Sequence, residues 1–277
     1  MKVTPLILFG FLIPTIIVMT SSSVASDARI FPNRISLDGK VLSAPPNPTL
    51  PREGKPPAIL AVTTPNLQLF RTSCSQPKGT ILLLPGGAYH LLAIEHEGLR
   101  VADLLNRSGY DVAILEYSVG TEEGIRAKAL SDATTSLGLI RNHGRDLGLN
   151  TTSLGIMGFS AGGHLAARLV HELAQDNPFS TIILIYPAYL DQHGAGLNSE
   201  VTLPSKVHGK FFVLVGDKDL PERIASTESY AKEAASKGGE TEFHLLKDAP
   251  HGFGLQSDQR GEVAGWPMLL QDFLSRN

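Results

Sequence analysis

Residues Leu154–Gln175 read LGIMGFSAGGHLAARLVHELAQ, and their order of patterns decides the fold. Leu154–Met157 is a short apolar run of the kind that forms a buried strand. Gly158-Phe159-Ser160-Ala161-Gly162 follows without a spacer, and an amphipathic stretch opens at Ala161. Strand, tight Gly-Ser-Gly turn and helix in direct succession form a nucleophile elbow, in which a strained backbone lifts a serine hydroxyl clear of a sheet. The glycines let neighbouring backbone come close, and the helix start adds free N–H groups and a positive dipole end. Ser160 is therefore the candidate nucleophile.

Outward from this segment, the chain alternates short apolar runs with longer amphipathic ones. Strands are expected at Leu67–Phe70, Thr80–Leu84, Val112–Leu115, Leu154–Met157, Thr181–Ile185, Phe211–Val215 and Glu242–Leu246. Helices are expected at Glu97–Arg107, Ile125–Leu147, Ala161–Gln175, Thr227–Lys237 and Trp266–Ser275. Leu130, Ala133, Leu137 and Ile140, for example, recur at helical spacing. Alternation of this kind predicts an α/β fold, with a mostly parallel central sheet and helices on both faces.

Two further features complete a candidate site. Pro85-Gly86-Gly87-Ala88-Tyr89 ends the strand Thr80–Leu84, where a glycine-rich turn can aim backbone N–H groups at a developing oxyanion. Gly87 and Ala88 are the expected donors, joined by Ala161, the residue after the nucleophile. Asp219 and His251 each follow a predicted strand, so Ser, Asp and His occur in the order of an α/β hydrolase, each at a strand's carboxyl end. A carboxylate is needed to hold the imidazole tautomer. Asp219 is favoured for this, with Asp217 and Asp191 as alternatives. Tyr89 and His90 follow the oxyanion turn and are candidates to line the substrate pocket.

The stretch PGGAYHLLAIEHEGLRVADLLNRSGYDVAILEYSVG, then Asp132, Arg141, GIMGFSAGGHLAARL and HGFGL before a Trp, resembles the acetyl-xylan-esterase-like, lipase-type carbohydrate esterases of the α/β-hydrolase superfamily. More distant relatives on this resemblance are dienelactone hydrolases and prolyl oligopeptidases. It runs from about residue 58 to the C-terminus. It implies removal of acyl groups, often acetyl, from sugar hydroxyls by Ser160, Asp219 and His251. The chain departs from the family pattern at Ser118, where an Arg usually follows the tyrosine, and at Ala88, where a third glycine is more common. The segment between Tyr186 and Phe211 is short, which implies little or no cap over the site.

Composition narrows the alternatives. A chain of 277 residues, 42% hydrophobic and 18% charged, suits one large domain and argues against disorder. A formal net charge of −3 gives no footprint for nucleic acid. Residues 1–26, with Lys2, the apolar run Leu6–Met19 and the small residues Ser23-Val24-Ala25, read as a secretory signal peptide, too short in its apolar part for the roughly 20 residues of a membrane span. Export, periplasmic or secreted, without stable membrane insertion after cleavage is the expectation. Residues 27–57 are rich in proline and read as an arm or linker without regular structure, leaving 58–277 as the catalytic domain.

Cys74 is the only cysteine, so no internal disulfide can form. Glu95-His96-Glu97 lacks zincin spacing and is explained by acidic residues at a helix start, so no metal and no cofactor is called for. The expected partner is a small-molecule or polysaccharide ester. A general short-chain carboxylesterase, a prolyl-oligopeptidase-like peptidase and a catalytically silent binding module are the competing readings.

Overall fold

A computed structural model describes residues 33–191 and 196–276, so the predicted signal peptide lies outside the described residues. In chain order the strands are β1 (Arg34–Ser36), β2 (Thr49–Arg52), β3 (Lys55–Ile59), β4 (Asn66–Phe70), β5 (Thr80–Leu84), β6 (Asp111–Glu116), β7 (Leu154–Phe159), β8 (Phe179–Ile185), β9 (Lys210–Gly216) and β10 (Glu240–Leu246). The helices are α1 (Arg100–Arg107), α2 (Ile125–His143), α3 (Ala161–Leu173), α4 (Pro221–Ser236) and α5 (Glu262–Ser275). Eight strands form one sheet in the order β1-β4-β6-β5-β7-β8-β9-β10, parallel from β6 to β10 and antiparallel at the β1-β4-β6 edge. This is the α/β architecture that the alternating pattern predicts.

All residues of β5, β6 and β7 are buried, because helices cover both faces of a central parallel strand. Each fully buried Ile or Leu there contributes about 1.5–3 kcal/mol. The chain leaves β5 through α1 to β6 on one side, then returns through α2 to β7 on the other. The carboxyl ends of β5 and β7 therefore meet at a switch point, where an open α/β sheet leaves a crevice.

The proline-rich arm is more ordered than its composition suggests. β1 extends the central sheet, and Arg34 binds a buried polar knot: its Nη1 donates to Asn66 Oδ1 at 2.5 Å and pairs with Glu116. Asn47 and Asn66 donate to the other Glu116 oxygen at 2.6 and 2.9 Å. Four polar groups that satisfy one another anchor the arm without an apolar run. β2 and β3 form a separate antiparallel hairpin, so the folded unit starts well before residue 58.

Helix starts also differ from expectation. α4 begins at Pro221, six residues before Thr227, because proline suits the first helical turn. α5 begins at Glu262, four residues before Trp266, with Pro267 tolerated inside it. Ahead of α1, Glu95–Leu99 forms one wide π turn, closed by Leu99 N–H to Ile94 O at 2.7 Å. It turns His96 and Glu97 inward. No described helix is long and apolar enough to cross a membrane. The described residues between β8 and β9 carry no helix, in keeping with a site that has little cap.

Candidate active site

Ser160 sits between β7 and α3 with φ 49° and ψ −116°, a conformation that costs an L-residue about 1–3 kcal/mol. The surrounding backbone holds it there. Ser160 N–H donates to Ile185 O at 3.0 Å, and its carbonyl accepts from His164 and Ala188 N–H at 3.0 Å each. Two glycines permit this packing. A Cβ on Gly158 would lie 2.2 Å from Gly162 O, and one on Gly162 would lie 2.1 Å from Leu84 O. Helix α3 thus passes directly over the end of β5.

The side chains beyond the elbow form one hydrogen-bonded chain. Ser160 Oγ lies 2.8 Å from His251 Nε2, and His251 Nδ1 lies 2.7 Å from Asp219 Oδ2. Asp219 follows β9 and His251 follows β10, so adjacent parallel strands deliver acid and base to the same end of the sheet. The other Asp219 oxygen accepts from Leu220 N–H at 2.8 Å and from Arg223. Burial raises the Asp219 carboxyl pKa, but the His251 hydrogen bond and charge, the Leu220 N–H and Arg223 outweigh it and hold the group below its ordinary value. Asp219, not Asp217 or Asp191, is the residue that meets His251.

Facing Ser160 is the turn after β5. Gly86 packs so tightly that an added Cβ would sit 2.9 Å from Ser160 Cβ. Gly87 has φ 134° and Ala88 φ 58°. Their neighbours turn the carbonyls away: Gly86 O accepts from Ala93 N–H at 2.9 Å, and Gly87 O from His90 N–H at 2.9 Å. Among the described residues the N–H groups of Gly87, Ala88 and Ala161 meet no backbone acceptor. Tyr117 OH braces the turn by donating to Pro85 O at 2.6 Å.

Residues 81–207 match a family described as having the alpha/beta hydrolase fold. The chain has the alpha/beta hydrolase fold. It is 31% identical over 202 residues to an acetylxylan esterase of Xylanibacter ruminicola, a match covering 64% of this chain and 42% of that relative. It is 29% identical over 120 residues to endo-1,4-beta-xylanase B of Butyrivibrio fibrisolvens, covering 41% of this chain and 19% of that protein. The chain therefore spans less than half the length of either curated relative. Among solved structures, an alpha/beta hydrolase enzyme from a Medee basin deep-sea metagenome library superposes with a TM-score of 0.63 at 26% identity, over 77% of this chain and 91% of that one. An acetyl ester-xyloside bifunctional hydrolase from Caldicellulosiruptor lactoaceticus, 22% identical, shares the fold with a TM-score of 0.65 over 89% and 97% of the two chains.

A cleft of about 680 Å³ opens beside Ser160 and His251. Gly87, Ala88, His90, His96 and Gln256 line it, and the β2–β3 hairpin supplies its far wall. His90 lies where the sequence places it. Tyr89 does not: it is 1% exposed, with its OH 2.9 Å from His164 Nδ1. A φ of 65° turns its ring inward against Tyr117 and Tyr189, so Tyr89 is core rather than pocket wall. His164 is likewise fully buried, between Tyr89 and Glu200.

Glu97 is the residue whose importance the sequence conceals. Its carboxylate is buried, accepting Gly86 N–H at 2.7 Å through Oε2 and Tyr186 OH at 2.9 Å through Oε1. The Tyr186 oxygen in turn accepts Gly254 N–H at 2.8 Å, and the Tyr186 ring lies edge-to-face with His251, centroids 5.0 Å apart. One carboxylate thus ties the oxyanion turn to the histidine loop. Burial pushes its pKa up to about 7, against the opposing pull of the two hydrogen bonds. Its neighbour His96 is driven down to about 4 by burial and by the nearby Arg52 and Arg100. Among the described residues no group of His, Cys, Asp or Glu is arranged to hold a metal ion.

Trp266 latches the other side of the histidine loop, donating Nε1–H to Gly254 O at 2.9 Å. Gln259 also donates to that carbonyl, at 2.9 Å. Trp266→Phe is expected to lower stability by about 1–3 kcal/mol through the lost bond and the space left behind. Because Gln259 and Tyr186 still hold Gly254, turnover should change far less than the urea midpoint. A large loss of turnover at unchanged stability would contradict this account.

Proposed function

We propose that this chain hydrolyses carboxylic esters through an acyl-enzyme, and that its substrates are acetylated sugars or xylan-type polysaccharides. The observation that supports the chemistry is the unbroken chain Ser160–His251–Asp219 at 2.8 and 2.7 Å, with the N–H groups of Gly87, Ala88 and Ala161 left without a backbone acceptor among the described residues. His251 Nε2 takes the Ser160 proton as Oγ attacks the ester carbonyl. Gly87, Ala88 and Ala161 hold the oxyanion in a site built before the substrate arrives. His251 then returns the proton to the leaving alcohol, and water repeats the cycle on the acyl-enzyme. Asp219, kept ionised, fixes the imidazole tautomer and stabilises the imidazolium.

The likeness to an acetylxylan esterase supports acetyl as the acyl group and a sugar as the alcohol. The apolar leader Leu6–Met19 supports an exported enzyme, placed where polysaccharide is met. The test is hydrolysis of 4-nitrophenyl acetate, butyrate and octanoate by the purified chain, followed by acetate release from acetylated xylan. Preference for acetate that extends to xylan is the expected result. Activity on the longer esters without acetate release from xylan would make it a general carboxylesterase. No turnover, with no fluorophosphonate labelling of Ser160, would end the esterase reading.

A further inference from the structure

The hairpin wall of the cleft carries an arrangement that the ester chemistry does not use. Arg52 and Lys55 stand directly opposite one another in the β2–β3 register, flanking the Glu53-Gly54 turn. Directly opposed residues share a face of the hairpin, and both residues line the cleft that holds Ser160 and His251. Like charges in that position repel. Among the described residues neither side chain has a hydrogen bond or an ion pair to relieve the repulsion. The chain as a whole carries a formal net charge of −3.

The rest of the wall points the same way. Glu97 is the one carboxylate lining the cleft among the described residues, and both its oxygens are already engaged by Gly86 and Tyr186. His96 lines the cleft as well. Among the described residues, two cations without partners border a space whose one carboxylate is already engaged. A guanidinium offers a planar fork and an ammonium a point charge, a pair suited to gripping one carboxylate from two sides.

We infer that the cleft selects esters whose sugar carries a carboxylate, held between Arg52 and Lys55 while the acyl group lies at Ser160. This rests on the esterase reading for what happens to the acyl group, but the binding preference can be measured apart from it. The alcohol portion is the natural carrier, because His251 and Gly252, beside which the leaving oxygen departs, line the same cleft.

The test compares two substrates, mono-O-acetyl methyl glucuronoside and mono-O-acetyl methyl glucoside, which differ only in the carboxylate. The full chain is expected to favour the acidic sugar in kcat/KM by about tenfold at low salt, a preference that shrinks in about 0.5 M sodium chloride. In the R52Q/K55Q double variant the ratio should fall to about one. A ratio near one in the native protein, or a ratio the double variant leaves unaltered, overturns the inference. If no ester is turned over, saturation-transfer NMR of the two unacetylated glycosides against Ser160→Ala protein decides it. Binding of the glucuronoside alone, lost with R52Q/K55Q, sustains the anion site even as the esterase reading falls. Equal binding of both glycosides, or binding of neither, removes the anion site.

Discussion

Ser160→Ala, His251→Ala and the double variant are expected to lose about 10⁴–10⁶ of kcat on 4-nitrophenyl acetate, and to lose it to the same extent. The hydrogen bond of 2.8 Å makes serine and histidine one device: without the base the hydroxyl stays protonated, and without the hydroxyl the base has nothing to activate. Losses that added in the double variant would mean the two act separately. Asp219→Asn makes a finer test. One Asp219 oxygen accepts from Leu220 N–H and Arg223, and the other from His251 Nδ1. Asparagine must keep its carbonyl toward the first two donors, so its NH₂ meets Nδ1 and the imidazole proton moves to Nε2. A histidine protonated there cannot take the serine proton, and kcat should fall by about 10⁴ with the fold intact. Activity near that of the native chain would remove Asp219 from the mechanism.

Much of this site was legible because the physics that shapes it is local. Strands β5 to β9 are buried enough to leave short apolar runs, and the elbow packs strand, turn and helix into consecutive residues. Ser160, His251 and Asp219 could be named because each follows such a run. The carboxylate choice was harder. Asp217 and Asp219 are two residues apart, and only the placement of Arg223 and Leu220 N–H shows which one is turned toward His251. The hairpin is hidden by its prolines: Pro51, Pro56 and Pro57 suppress any strand signal, and β2 and β3 pair with each other outside the central sheet. Tyr89 follows the oxyanion turn and so has the sequence position of a pocket residue, but three successive positive φ angles at Gly87, Ala88 and Tyr89 reverse the chain and bury it. Glu97 gave the least warning. A glutamate near a helix start is ordinarily solvated, and nothing in the linear pattern shows that a π turn drives it under the glycine turn.

Glu97 is therefore where the largest effect outside the triad is expected. Removing the carboxylate in Glu97→Ala leaves Gly86 N–H and Tyr186 OH buried without acceptors, at about 1–3 kcal/mol each. These groups hold the oxyanion turn and the histidine loop, so kcat should fall by about a hundredfold while KM moves little. Glu97→Gln separates charge from packing. A glutamine can accept Gly86 N–H with its oxygen, but its NH₂ then faces the Tyr186 hydroxyl, whose proton loses its acceptor. It reproduces the protonated acid, and its deficit in turnover should be greatest above pH 7 and narrow below it. Stability supplies a second readout. Glu97 binds its proton more tightly folded than unfolded, so the native chain should lose stability as pH rises from about 4.5 to 7, by about 3 kcal/mol in total. Glu97→Gln has no proton to release and should not share that decline. Parallel urea midpoints for the two proteins across this range would show that Glu97 does not titrate there, and turnover unchanged in Glu97→Ala would show that it does not position the site.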